Sequence, residues 1–266
     1  MLNDLEVARF HAFGFHLIKG CLSAGEVASL EESFERLMRD ASVTAQWGDN
    51  GSRYRTNTEA VDPVIGALVV HPRVVDAMRD IWGTPCLYFA SGMWANKDDT
   101  PWHTDRQPGY HLQSIKVTYY LDEMTEEQGA IRLLPGTHHR HWNETLFATC
   151  GYRDNRRPRL KLDPDDIPGV FVVHTVPGDV FIWDNRLWHA APQRLDGRTR
   201  RALFLNYYPD PGNDESALEL MRGDLRDHIR SEGPTLYAPR FLEGGDPIWR
   251  HMAERLEALG VEQVRP

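Results

Sequence analysis

The sequence predicts a mainly β fold, a sandwich or barrel of antiparallel strands with helices on its flanks. Three observations carry that expectation. From about residue 85 to about 210 the chain runs through "CLYFASGMWAN", "IKVTYYLDEM", "AIRLLPG", "GVFVVHTV", "GDVFIWDN", "LWHAAPQRL" and "RALFLNYYP". These segments are short, rich in β-branched and aromatic residues, and separated by Gly, Pro or Asp turns. The chain before them and the chain after them have helical texture instead. The whole, 266 residues, suits one domain around one core: residues 1–84 as a helical part with a loop, 85–210 as the β core, and 211–266 as C-terminal helices.

In order, "DLEVARFHAF" reads as an amphipathic helix and "GFHLIKG" as a glycine-bounded strand. "SAGEVASLEESFERLMRDA" reads as a second helix, opened by a capping box in which Ser23 and Glu26 satisfy each other's end of the first turn. Residues 40–60 lack periodicity and carry Gly, Asn and Asp, so a long binding-type loop is expected there. "HPRVVDAMRDIWG" is a helix with Pro72 in its first turn and Gly83 just past its end. In the tail, "ESALELMRGDLRDHIRS" and "PIWRHMAERLEALG" are amphipathic helices.

Hydrophobic residues at 41% and charged residues at 26% fit a soluble globular chain, and no apolar run approaches the roughly 20 residues of a membrane span. The first residues carry acids and no basic flank before an apolar core, so no signal peptide is expected and the cytoplasm is the default location. A net charge of −9 opposes binding to a phosphate backbone, and the basic stretch "RDNRRPRLK" (153–161) reads as a solvated loop. Cys21, Cys86 and Cys150 are widely spaced and read as reduced thiols, mostly buried. A small-molecule partner fits this profile, with neither nucleic acid nor membrane; the oligomeric state is not legible.

The chemistry centres on "TPWHTDRQPGY". On an extended strand alternate residues project from one face, so His103 and Asp105 would point the same way. His189, at the end of an apolar strand in "GDVFIWDNRLWHAAPQ", is a third ligand from a strand that can lie beside them. Two histidines and one carboxylate in the order H-x-D…H make the facial triad that holds non-haem Fe(II) and leaves three positions open. Arg200 opens the next strand, where a guanidinium can pair bidentately with a dicarboxylate; the competing reading is one more surface arginine of "RLDGRTRR". Among the other histidines, His11, His16, His71, His228 and His251 lie in or at the ends of the flanking elements and read as structural or exposed. His138, His139 and His141 in "PGTHHRHW" follow a Pro-Gly turn with no acid nearby.

"PWHTD", "QGAIRLLPGTHH", "PGDVFIWDNRLWHAAPQ", Arg200 and the opening "FHAFGFHLIKGCLSAGEV" together resemble the phytanoyl-CoA dioxygenase-like branch of the Fe(II)/2-oxoglutarate-dependent oxygenases, from about residue 7 to about 210. The resemblance implies a double-stranded β-helix, or cupin-like jelly roll, with His103, Asp105 and His189 on iron and Arg200 on the C5 carboxylate of 2-oxoglutarate. It also implies that Lys116 and Thr118 of "IKVTYYL" face inward to hold cosubstrate or substrate; period-2 alternation puts both on one face. Two positions depart from the pattern: Ala191 stands where a small hydroxyl residue is common, and Thr118 where a tryptophan is. Asp105 retains the carboxylate that related halogenases replace, which favours hydroxylation or another oxidation over halogenation.

The implied reaction consumes 2-oxoglutarate and O₂, releases succinate and CO₂, and hydroxylates a small polar or acidic molecule. Arg53, Arg55, Trp94, Asn96, Lys97 and Arg106 are the substrate-facing candidates, each with a competing reading as a packed or solvated side chain. Two other functions are carried alongside: a non-catalytic 2-oxoglutarate sensor, and a zinc or manganese hydrolase on the same ligands, which would leave Arg200 without a role.

Overall fold

The computed structural model describes residues 1–40, 44–47, 51–154, 157–162, 169–232, 243 and 245–261. Their strands form two sheets in which every pairing is antiparallel. The first has seven strands, in the order β1 (Phe15–Ile18), β11 (Val180–Asp184), β6 (Ile115–Tyr120), β13 (Arg200–Pro209), β4 (Cys86–Asn96), β3 (Ser52–Thr56) and β2 (Ala45–Trp47). The second has six, in the order β10 (Phe171–Val172), β7 (Arg132–Leu133), β12 (His189–Ala191), β5 (Thr100–His103), β9 (Arg157–Leu160) and β8 (Gly151–Asp154). From β4 to β7, and again from β10 to β13, the chain passes from one sheet to the other at each step. That winding is the double-stranded β-helix.

The segment "IKVTYY" is apolar on both faces because both are covered. Ile115, Val117 and Tyr119 pack into the large core shared with the helices, together with Leu203, Leu205 and Tyr207 of β13. Lys116, Thr118 and Tyr120 take the opposite face, toward the second sheet, as alternation requires. The helices behind the first sheet are α1 (Asp4–Phe13), α2 (Ala24–Arg39), α3 (Pro63–Val69) and α4 (Pro72–Trp82), joined by α6 (Glu215–Glu232) and α7 (Pro247–Ala258) from the C-terminal part. The outer face of the second sheet is covered by α5 (Arg140–Cys150), whose Leu146, Phe147 and Cys150 meet Trp102, Leu160 and Trp188.

The helix boundaries follow local chemistry. Ser23 accepts from the Glu26 backbone and the Glu26 carboxylate accepts from the Ser23 backbone, so the capping box is closed; α1 has the same device in Asn3 and Glu6. Asp62 caps α3 by accepting from the backbones of Val64 and Ile65. Gly83 ends α4 in the left-handed conformation at φ 69°.

Two expectations are corrected. The long loop expected over residues 40–60 contains the β2–β3 hairpin and a 3-10 turn (Thr58–Ala60), with 41–43 and 48–50 outside the described residues. The solvated loop expected at 153–161 contributes to the β8–β9 hairpin, which extends the second sheet beyond β5; residues 155 and 156 lie outside the described ones. Polar residues hid both hairpins, because each is an edge pair with one face toward solvent or a cavity. The helices α3 and α5 carried no clear signal either: "PVIGALV" is apolar throughout, and α5 starts within the histidine cluster. The three cysteines are free, Cys21 and Cys86 buried and Cys150 half-buried. Among the described residues no helix is long and apolar enough to cross a membrane.

Candidate active site

A cavity of about 710 Å³ opens between the sheets, a size suited to a small molecule together with a cosubstrate. His103 ends β5 and His189 begins β12, and the two strands pair with these residues opposite each other. Their rings lie 4.0 Å apart between centroids. Asp105 sits two residues beyond His103, past the end of the strand, where its backbone N–H donates to the Asn185 carbonyl at 3.2 Å. The Thr104 hydroxyl donates to the same carbonyl, so the bend carrying Asp105 is tied to the turn after β11. One ligand atom from each of His103, Asp105 and His189 falls within 4.8 Å of the others.

The donor set fits a divalent metal. Each imidazole has its Nδ1 2.9 Å from the carbonyl oxygen two residues earlier, Pro101 for His103 and Leu187 for His189. Nδ1–H donation there leaves both Nε2 lone pairs for a metal, the usual way a second hydrogen bond fixes a ligand's tautomer. Burial lowers both imidazoles, His189 to about 4, so they stay neutral and ready to ligate. For Asp105 burial works upward, but Lys116 and the two histidines outweigh it and hold the carboxyl well below the usual range. Lys116 reaches it at 2.5 Å while lying over the rings of Trp183 and Phe204.

Arg200 is buried at the start of β13 and lines the same cavity. Its Nη1 donates to the carbonyls of Gly129 at 2.8 Å and Pro192 at 3.0 Å, while its Nε and Nη2 make no hydrogen bond among the described residues. One edge of the fork is thus fixed and the other is free for a carboxylate. Gly129 makes this possible: at φ 72° a side chain is strained, and a Cβ would stand 2.5 Å from the Pro192 carbonyl oxygen.

The remaining candidates divide. Trp94, stacked on Tyr54, and Asn96 line the cavity, as does Arg106. The Arg106 guanidinium is committed to the protein: it donates to Asp224 of α6 at 2.6 Å, to the Tyr208 hydroxyl and to Ser114, and it lies 5.0 Å from the Tyr110 ring centroid. It fastens α6 to the cavity edge, where His228 of the same helix also contributes wall. Thr118 is buried off the cavity and accepts from the Trp183 indole at 3.0 Å, which in turn packs edge-on against His189. Arg53 and Arg55 do not line the cavity. They pair with Ala95 and Met93, on the face opposite Trp94 and Asn96. Their guanidiniums donate to the Met38 and Leu37 carbonyls in the last turn of α2, where the Leu37 carbonyl also accepts from the Asp40 cap N–H. On that strand the cavity-facing residues are Ser52 and Thr56, whereas the sequence reading placed the two arginines in a loop, where no face could be assigned. Lys97 is seen bonded through its backbone N–H to Ser52 and is not a cavity residue.

Sequence reasoning also missed lining residues. Phe204 and Asn206 follow Arg200 at even spacing and Tyr120 follows Lys116 in the same way, so period-2 counting from the chosen residues would have found them. Arg159 had no such signal, lying within a run of charges.

The family model for phytanoyl-CoA dioxygenase (PhyH) matches residues 10–202, most of the chain. The chain belongs to the phytanoyl-CoA dioxygenase family. An ectoine dioxygenase of Bordetella bronchiseptica, a relative in sequence, is 23% identical over 239 residues, covering 77% of this chain and 75% of that protein. The fold matches that of the epimerase SnoN, solved with Fe³⁺, alpha ketoglutarate and nogalamycin RO, at a TM-score of 0.63 and 20% identity over 78% of this chain and 83% of that one. EctD from S. alaskensis, solved with 2-oxoglutarate and 5-hydroxyectoine, matches at 0.62 and 20% identity, over 78% of this chain and 76% of that chain.

Proposed function

We propose that this protein is a non-haem Fe(II)/2-oxoglutarate-dependent dioxygenase that hydroxylates a small polar or acidic molecule. The observation that carries the reading is the convergence of His103, Asp105 and His189 in the cavity that Arg200 also lines. A zinc or manganese hydrolase needs the first three and has no use for a buried arginine with two open donors. A 2-oxoglutarate sensor needs the arginine and has no use for a metal triad.

His103 and His189, neutral and aimed by their Nδ1 hydrogen bonds, would hold the metal on one face together with Asp105, leaving the opposite positions to small ligands. Fe(II) with 2-oxoglutarate and O₂ supplies oxidative decarboxylation to succinate and CO₂ and transfer of one oxygen atom to a substrate C–H bond. Arg200 fixes the cosubstrate's distal carboxylate, so the cosubstrate is oriented before the reaction begins. Lys116 keeps Asp105 ionised and in place. Trp183 and Phe204 wall the site with apolar surface, which limits the water that competes with substrate.

Anaerobic titration of the Fe(II)-loaded protein with 2-oxoglutarate tests this reading. The visible charge-transfer absorption of a chelated 2-oxo acid is expected to appear with Fe(II) and to be absent with Zn(II). Arg200→Ala should need about tenfold or more additional 2-oxoglutarate, the worth of a charge-assisted pair. No absorption and no binding by the wild-type protein would sink the assignment.

A further inference from the structure

We infer that Arg159 anchors a carboxylate of the substrate; this deepens the oxygenase reading, on which it rests, by naming the substrate class. Arg159 lies in β9 directly across from His103 of β5. Directly opposed residues leave a sheet on the same face, so both side chains enter the cavity, and both line it. Trp102 and Leu160, the next residues along the two strands, take the other face and pack under α5.

What sets Arg159 apart is that, among the described residues, neither a hydrogen bond nor an ion pair engages its guanidinium. The residue is 8% exposed, and its Nε and Nη1 are shut off from solvent with no hydrogen-bond partner among the described residues. The other buried arginines are all engaged: Arg55 with Asp40 and the Leu37 carbonyl, Arg194 with Asp196, Arg200 with two backbone carbonyls. Arg159 makes no ion pair among the described residues. A guanidinium does not shed its proton in a protein, and an unpaired buried cation is strongly unfavourable, so this position is built for an anion that arrives from outside. A planar fork of donors matches a carboxylate in shape as well as charge.

Topology separates this anion site from the cosubstrate clamp. Across the second sheet the order is β7, β12, β5, β9, so the histidine pair stands between two flanks. Arg200 is tied to Gly129 and Pro192, on the β7 and β12 side; Arg159 stands on the far side, beyond His103. With 2-oxoglutarate held at Arg200, a substrate carboxylate on Arg159 would bring its neighbouring carbons past the metal. The stretch "RDNRRPRLK" thus contributes a binding residue rather than only a solvated charge.

The test uses the full chain loaded with Ni(II), which occupies the site without turnover, and saturated with 2-oxoglutarate. Amino acids and aliphatic carboxylates of up to about six carbons are titrated beside their neutral carboxamides, with binding read by ligand-observed NMR; a charge-assisted pair predicts a preference of about tenfold or more for at least one acid over its amide. Arg159→Gln should erase the preference, and Arg159→Lys should restore part of it, which separates a lost charge from a misfolded protein. Equal binding of acids and amides by the wild type would overturn the assignment. So would a preference unchanged in Arg159→Gln, or a variant whose main defect is tenfold weaker 2-oxoglutarate binding, which would move Arg159 into the cosubstrate site. Because binding is read without turnover, a protein with the acid preference and no succinate formation would keep this inference and lose the oxygenase reading. Succinate formation without any acid preference would do the reverse.

Discussion

The two sheets of this protein differ in how they hold their side chains. In the seven-stranded sheet β4 and β13 run for 11 and 10 residues, paired along most of their length and backed by helices. In the six-stranded sheet β7, β10 and β12 have 2, 2 and 3 residues. Yet the short sheet carries both candidate ligand histidines and Arg159, along with buried polar atoms that lack a partner among the described residues, including Arg132 Nε of β7. The long sheet packs into the large helix-backed core, and the short one presents groups that a metal or ligand would complete. Stability and chemistry are thus divided between two layers that share one cavity, the long sheet lending the site Arg200 and Lys116.

This division can be broken by substitution on either side. The largest effect is expected from the short sheet: His189→Ala should lose bound Fe(II) and metal-dependent succinate formation while its melting temperature in the metal-free state stays close to that of the parent, as metal analysis and calorimetry would report. A large loss of stability would mean that the short sheet is also structural. The mirror substitution is Leu205→Ala, on the helix-facing side of β13, which should cost about 2–5 kcal/mol in denaturant unfolding and leave metal stoichiometry per folded molecule unchanged.

A third effect concerns pH. His138, after β7, is buried against Gly14 and lowered to about 4, chiefly by desolvation. Between that value and the ordinary 6.5 the unfolded chain binds more protons than the folded one, so stability falls as pH drops through this window and levels off below it. The loss is on the order of 3 kcal/mol, and His138→Gln should flatten that limb of the stability–pH curve. An unchanged slope would show that the fold does not lower the His138 imidazole. The smallest effect is expected at Arg53: Arg53→Ala removes a donor from the end of α2 and should cost about 1 kcal/mol of stability with no change in 2-oxoglutarate consumption. A clear kinetic defect would return Arg53 to the substrate site.

The same division explains what the sequence disclosed. The long strands were legible because β-branched and aromatic residues run without interruption, as in "CLYFASGMWAN", and their bounds match β4. The facial-triad candidates were legible because a weak H-x-D signal was joined by a later strand-end histidine, by Arg200 and by the surrounding family-like motifs, although Asp105 lies past the strand end that was expected to aim it. The side of the sheet taken by Arg53 and Arg55 was not legible because the stretch read as a loop, and nothing local in "SRYRT" fixes the register on which the face depends. Arg159 was hidden because a charged strand in an outlying hairpin reads like a loop until its partners, here β5 and β8, are known.

The most direct test of the central claim is O₂-dependent succinate formation from 2-oxoglutarate by the Fe(II)-loaded protein, compared with His189→Ala and with the Zn(II)-loaded parent. Succinate above both controls, matched by CO₂ and increased by an acidic co-reactant, is the result expected of this site. Succinate formed equally by all three, or by none while 2-oxoglutarate is bound and acidic co-reactants are present, would contradict it.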